Sequence, residues 1–100
     1  LVPPGTTLGE LGGFLWTGPL ESGIVTFDLF KKDSNDIFEI STGVSVTLTE
    51  SQQAQYDTTN LFVTSDPATC IAIKVGIIGP LSPSLSTGVS VVLSAYPPSG

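Results

Sequence analysis

The sequence predicts an all-β domain, an antiparallel sandwich or small barrel, and three observations carry that prediction. The segment Ser41-Thr42-Gly43-Val44-Ser45-Val46-Thr47-Leu48 returns as Ser86-Thr87-Gly88-Val89-Ser90-Val91-Val92-Leu93, with seven of eight residues kept. Each copy is a turn followed by apolar residues at every second position, the period of a strand with one buried face. Glycine and proline, 11 and 8 residues of 100, punctuate the chain at the short intervals that turns between strands require. No stretch makes a convincing helix.

Residues 1–22 open with a Gly-, Pro- and Thr-rich run and are expected to form an N-terminal arm or linker, with the β-sandwich head spanning 23–100. Phe14-Leu15-Trp16-Thr17 is a short apolar run before Gly18-Pro19, either a first strand or an arm packed on a neighbour. Residues 23–31 alternate, with Val25, Phe27 and Leu29 on one side and Ile24, Thr26, Asp28 and Phe30 on the other. Lys31-Lys32-Asp33-Ser34-Asn35-Asp36 reads as a polar turn. Ile37-Phe38-Glu39-Ile40 is a short extended piece, and the first repeated strand follows from Val44, with Val46 and Leu48 on its apolar side.

Residues 50–58 lack strand character and read as a polar connection across the end of a sandwich, or as one helical turn capped by Ser51. Asn60 to Thr64 is a strand, and Asp66-Pro67 a turn. Thr69 to Ile78 is the longest strand candidate, with Ile71, Ile73, Val75 and Ile77 on one side and Cys70, Ala72, Lys74 and Gly76 on the other. Gly79-Pro80-Leu81-Ser82-Pro83-Ser84 reads as a loop. The last strand runs from Val89 to Tyr96. Prolines are expected between strands, because a proline cannot donate to a ladder. The count is six or seven strands.

One hundred residues bound the chain to one domain. Charged residues are 12%, about half the usual ~25%, while 40% are hydrophobic. Such a chain has too much apolar material to be disordered and too few charges to solvate its outside. Apolar surface is therefore expected to be hidden in an oligomer. Val92 stands where Thr47 stands in the first repeat, which makes the second copy apolar on both faces. Trp16, Ile24, Ile78 and Val92 are the candidate subunit-interface residues, Trp16 also because tryptophan favours interface hot spots.

The net charge of −6, with Lys31, Lys32 and Lys74 the only cations, argues against nucleic acid and against charge-driven binding to anionic membranes. No apolar run approaches the ~18 residues of a membrane-spanning helix. The single cysteine, Cys70, has no intrachain partner and reads as a small apolar residue, an intersubunit bridge or a reactive thiol. Because the chain begins at Leu1 without a methionine, a fragment or processed product is expected.

Chemistry is scarce. With no histidine, serine- or cysteine-type nucleophilic catalysis lacks its usual base, and zinc lacks its ligand cluster. Gly9-Glu10-Leu11-Gly12-Gly13 does not have the spacing of a phosphate-binding loop. Asp28, Asp36 and Glu39 are near in sequence, but nothing sets two carboxylates across a cleft. Asp33-Ser34-Asn35-Asp36 is the best of the weak cases for a hard cation, and it equally makes an ordinary polar turn. No enzyme activity and no cofactor are expected.

Phe27-Asp28-Leu29-Phe30-Lys31, the polar residues Asp33 to Asp36, Ile37-Phe38-Glu39-Ile40 and Ser41 to Leu48 follow one another in an order that resembles the C-terminal heads of collagen-like spore-surface (exosporium) glycoproteins. Cys70-Ile71-Ala72-Ile73-Lys74-Val75 and Thr87-Gly88-Val89-Ser90-Val91 are similar to the last two strands of those heads. The match covers about residues 23–96. The resemblance implies a jelly-roll head of the tumour necrosis factor and complement type, a tight homotrimer at the end of a fibrous or collagen-like stalk. The chain departs from the pattern in being shorter, in having no Gly-X-Y run, and in its first 22 residues. The family supplies no catalytic residues.

The function expected from the sequence is a non-enzymatic structural and adhesion module on an extracellular surface, of a spore or a virion, able to bind a receptor or glycan. The alternatives are a viral or phage capsid decoration or fibre-tip protein, and a carbohydrate-binding β-sandwich. The last would use exposed aromatics, and Trp16, Tyr56 and Tyr96 are scattered in sequence.

Overall fold

The computed structural model describes residues 2–32, 38–57, 61–64, 70–83 and 88–97, with seven strands and no helix among them. The strands are β1 (Thr7–Leu15), β2 (Ser22–Lys32), β3 (Phe38–Leu48), β4 (Ala54–Tyr56), β5 (Leu61–Val63), β6 (Ile71–Ser82) and β7 (Val89–Tyr96). They form two sheets in which every pairing is antiparallel. In one sheet β1 is central. β7 runs along one of its edges, while β5 and β4 share the other, beside Thr7–Gly9 and Gly12–Phe14. In the second sheet β2 is central, between β3 and β6. The protein is an all-β sandwich.

The alternation read from β2 and β3 decides the core. Val25, Phe27 and Leu29 of β2 and Val44, Val46 and Leu48 of β3 all turn inward and are buried. They meet Leu8, Leu11 and Leu15 of β1, with Leu20 closing one end. Each fully buried aliphatic or aromatic side chain of this kind contributes about 1.5–3 kcal/mol. The repeated segments serve matching roles in different sheets. Both carry a glycine in the left-handed region: Gly43 at φ +86° lies within β3 at its register shift against β2, and Gly88 at φ +99° immediately precedes β7. One then pairs with β2 and the other with β1.

Residues 1–22 are not an arm. β1 lies in the middle of its sheet, and three of its leucines are core residues. A bulge hides it from a period-two reading. Between Gly9 and Gly12 the register against β7 shifts by one extra residue, and Glu10 takes φ +52°. The shift brings Leu8 and Leu11 to the same side, three positions apart. The inward position between Leu11 and Leu15 is held by Gly13, where a Cβ would lie 2.6 Å from the Phe27 ring. The preceding segment is tied down as well: Thr64 is buried, its hydroxyl donates to the Pro3 carbonyl (2.7 Å), and it accepts from the Thr6 N–H (3.0 Å).

Two further expectations need correction. Residues 50–58 include a short strand, β4, which the chain reaches through bonds from Leu15 N–H to the Gln53 carbonyl (2.9 Å) and from the Gln53 side-chain amide to the Leu15 carbonyl (2.8 Å). β6 continues through Gly79-Pro80-Leu81 to Ser82, so a proline does lie inside a strand. Pro80 is tolerated because β6 is an edge strand and the register shifts there, opposite Gly23. The remaining limits of β2, β5, β6 and β7 fall close to those read from the sequence.

The sandwich is unevenly covered. β3 approaches β1, β4 and β5 across the layer, whereas the close approaches of β6 are to β2. Ile71 and Ile73 pack on the core, but Val75 and Ile77, on the same side of β6, are 43% and 55% exposed. On the other side of β6, Ile78 faces Ile24 across the strand pair and is also exposed. The turn Asp33–Asp36, weighed as a cation site, lies outside the described residues. Cys70 is a free thiol, half-buried.

Candidate functional site: an aromatic groove around Glu10

The outer face of the β1 sheet gathers residues that are far apart in the chain. Across one row, Tyr56 of β4 faces Gly12 of β1, which faces Val92 of β7; across the next, Ala54, Phe14 and Ser90 stand side by side. These six residues line a groove of about 510 Å³. Gly12 is needed here for close approach. A Cβ on it would come within 2.8 Å of the Tyr56 ring, so the bare backbone lets that ring lie against the strand.

Trp16 stands at one end of the groove. Its ring meets Phe14 edge to face, with centroids 5.2 Å apart at 79°. Its indole N–H donates to the Ser90 hydroxyl oxygen at 2.6 Å. At the other end lies Glu10, which the bulge turns outward. The Tyr56 hydroxyl donates to its carboxylate at 2.8 Å, the Ser94 hydroxyl at 3.4 Å, and the Tyr96 hydroxyl to its second oxygen. One carboxylate therefore fixes two tyrosines from different strands. The bonds from Tyr96, then Tyr56, and more weakly Ser94, hold the Glu10 carboxyl below its ordinary value of 4.5. Bonding to Glu10 in turn raises both phenols above their ordinary 10.0.

Trp16, Tyr56 and Tyr96 remain among the most exposed large side chains of the protein, at 61%, 51% and 49%. They are ordered by hydrogen bonds yet contribute little to the core. Residues scattered over 80 positions of sequence thus become one face, because β1, β4 and β7 are neighbours. The signal in the sequence was the three glycines within Gly9-Glu10-Leu11-Gly12-Gly13, a bulge signature among apolar residues.

The four residues expected at a subunit interface separate into two pairs. Trp16 and Val92 belong to this face. Ile24 and Ile78 lie on the outer face of the β2 sheet. Among the described residues no group of three or more potential ligands could hold a metal ion. What the groove offers is fixed apolar planes beside a carboxylate, which is a binding chemistry.

Comparison of the chain with family models, curated proteins and solved structures finds no match. The functional reading therefore rests on the surfaces described above.

Proposed function

We propose that this chain is a non-enzymatic structural and adhesion module, a β-sandwich head that works as a homotrimer. The observation that carries the proposal is β6, an edge strand with exposed apolar residues on both faces. Val75 and Ile77 sit uncovered on its inner side, and Ile78 sits beside Ile24 on its outer side. An exposed apolar edge strand of this length invites pairing or packing with another chain. A second copy of the same chain meets that demand with no other partner required. We assign Ile24 and Ile78 to the subunit contact and leave Trp16 and Val92 to the groove.

The placement of the head at the tip of a fibrous or collagen-like surface protein, on a spore or a virion, follows from the resemblance. One feature of the fold supports it. Thr7 pairs with Tyr96, so the first and last strands end side by side. The start of β1 and the end of β7 therefore lie at the same pole of the sandwich.

Light scattering on a sizing column tests the proposal. A native mass of about 31 kDa, three times the 10.3 kDa chain, supports the trimeric head. A 10.3 kDa monomer overturns it and favours a decoration protein whose apolar strand is covered only within a viral lattice.

A further inference from the structure

We infer that the groove on the β1 sheet binds a neutral saccharide, with a sugar ring seated against Tyr56 and Phe14 and its hydroxyls donating to Glu10 and Ser90.

The walls come first. Phe14, Tyr56 and Val92 present carbon surface on three adjacent strands, and the Trp16 indole extends it beyond Phe14. Pyranose rings carry apolar C–H faces of matching size, while their hydroxyls project from the ring edge. A rigid aromatic wall suits them because little conformational freedom is lost on binding. The wall is rigid here: Trp16 is held by Ser90, and both tyrosines are held by Glu10.

The polar inventory then selects the ligand. The indole N–H and the two phenolic hydroxyls, which would otherwise donate to a ligand, are spent on Ser90 and Glu10. Remaining capacity is mostly for accepting: a carboxylate offers roughly four lone-pair sites, and three hydroxyls occupy some of them. The ligand must therefore bring donors. A sugar does so with its hydroxyls. A proline-rich peptide, the other common occupant of aromatic grooves, brings carbonyl acceptors and few donors. The Glu10 charge and the chain's net −6 also disfavour uronic and sialic acids.

Glu10 adds an independent observation. A non-glycine residue at φ +52° is uncommon, and such positions concentrate at ligand sites. Here the strained residue is the one that orders the groove. The inference does not depend on the trimer, since every residue named lies on one chain.

The experiment is a titration of the intact chain with neutral linear oligosaccharides, namely glucose, mannose and N-acetylglucosamine oligomers, with a proline-rich peptide and an oligogalacturonate run alongside. The lone Trp16 makes intrinsic fluorescence a direct reporter of the site. A saturable change with at least one neutral oligomer is expected, weakened about tenfold or more in Tyr56→Ala by calorimetry. Tyr56→Phe, which keeps the ring and releases the tether, should retain binding within about threefold. Circular dichroism of both variants confirms folding, which an exposed substitution should leave intact. No saturable change with any neutral oligomer, undiminished binding by Tyr56→Ala, or preference for the peptide or the acidic oligomer would overturn the inference.

Discussion

Gly13 and Phe27 meet across the two sheets so closely that a methyl group on Gly13 would lie 2.6 Å from the Phe27 ring. The ring is fully buried, with Gly13 as one wall of its cage. Gly13→Ala should therefore destabilise the fold by about 1–3 kcal/mol through overpacking. Denaturant unfolding measures it. Combining Gly13→Ala with Phe27→Leu should cost less than the two changes added together, because the smaller side chain makes room for the methyl group.

Thr64 ties the residues before β1 to β5. Thr64→Val removes the hydroxyl that accepts from Thr6 N–H and leaves that buried donor only a long bond to the Pro3 carbonyl (3.4 Å). The expected loss is about 1–3 kcal/mol. Thr64→Ser keeps the oxygen and should lose less. Thermal unfolding of the two variants separates the hydrogen bond from the packing of the methyl group.

Glu10 couples the tyrosines to pH. Its carboxyl is lowered, so the stabilisation from the tether is present above the ordinary value of 4.5 and disappears as pH falls through the lowered folded value. The phenols are raised, so on the alkaline side it is present below 10.0 and disappears as pH rises through their raised values. The chain has two tyrosines, both on Glu10, so phenolate absorbance reports this cluster alone. Its midpoint should lie above 10.0 in the native protein and fall back toward that value in Glu10→Gln.

Ile78 tests the assembly without touching the core. A lysine there remains solvated in an isolated chain, and an exposed substitution changes stability by no more than about 0.5 kcal/mol. Placed in a subunit contact, the same lysine would be desolvated without a partner. Ile78→Lys should keep the unfolding transition and reduce the native mass to that of one chain. Light scattering and a melting curve together provide the check.

β2, the later part of β3 and β7 were legible because apolar residues recur at every second position: Val25, Phe27 and Leu29, then Val44, Val46 and Leu48, then Val89, Val91 and Leu93. Phe38 to Ile40, read as a separate short piece, is the start of β3. β1 escaped the same reading for a physical reason. The bulge at Glu10 breaks its period, and Gly13 fills a core position with no side chain of its own. β4 was missed because its three residues, Ala54 to Tyr56, sit in a polar stretch and are too few to show a period. The aromatic face could not be read for a related reason. Trp16, Tyr56 and Tyr96 are anonymous until strand order is known, and the order that joins them passes through β1.

The pairing of the first strand with the last also governs how the chain can fold as it is made. Thr7 and Leu8 leave the ribosome well before Tyr96 and Ala95, the residues that stand opposite them. The β2–β3 hairpin can form while translation continues. β1 can meet β4 and β5 earlier, but its sheet stays unfinished until β7 has been made. Closure across so long a separation places folding in the slow regime of β-sandwiches, milliseconds to seconds. In that interval the central strand of the finished domain has one open edge, and the best protection for it is the speed with which β7 arrives.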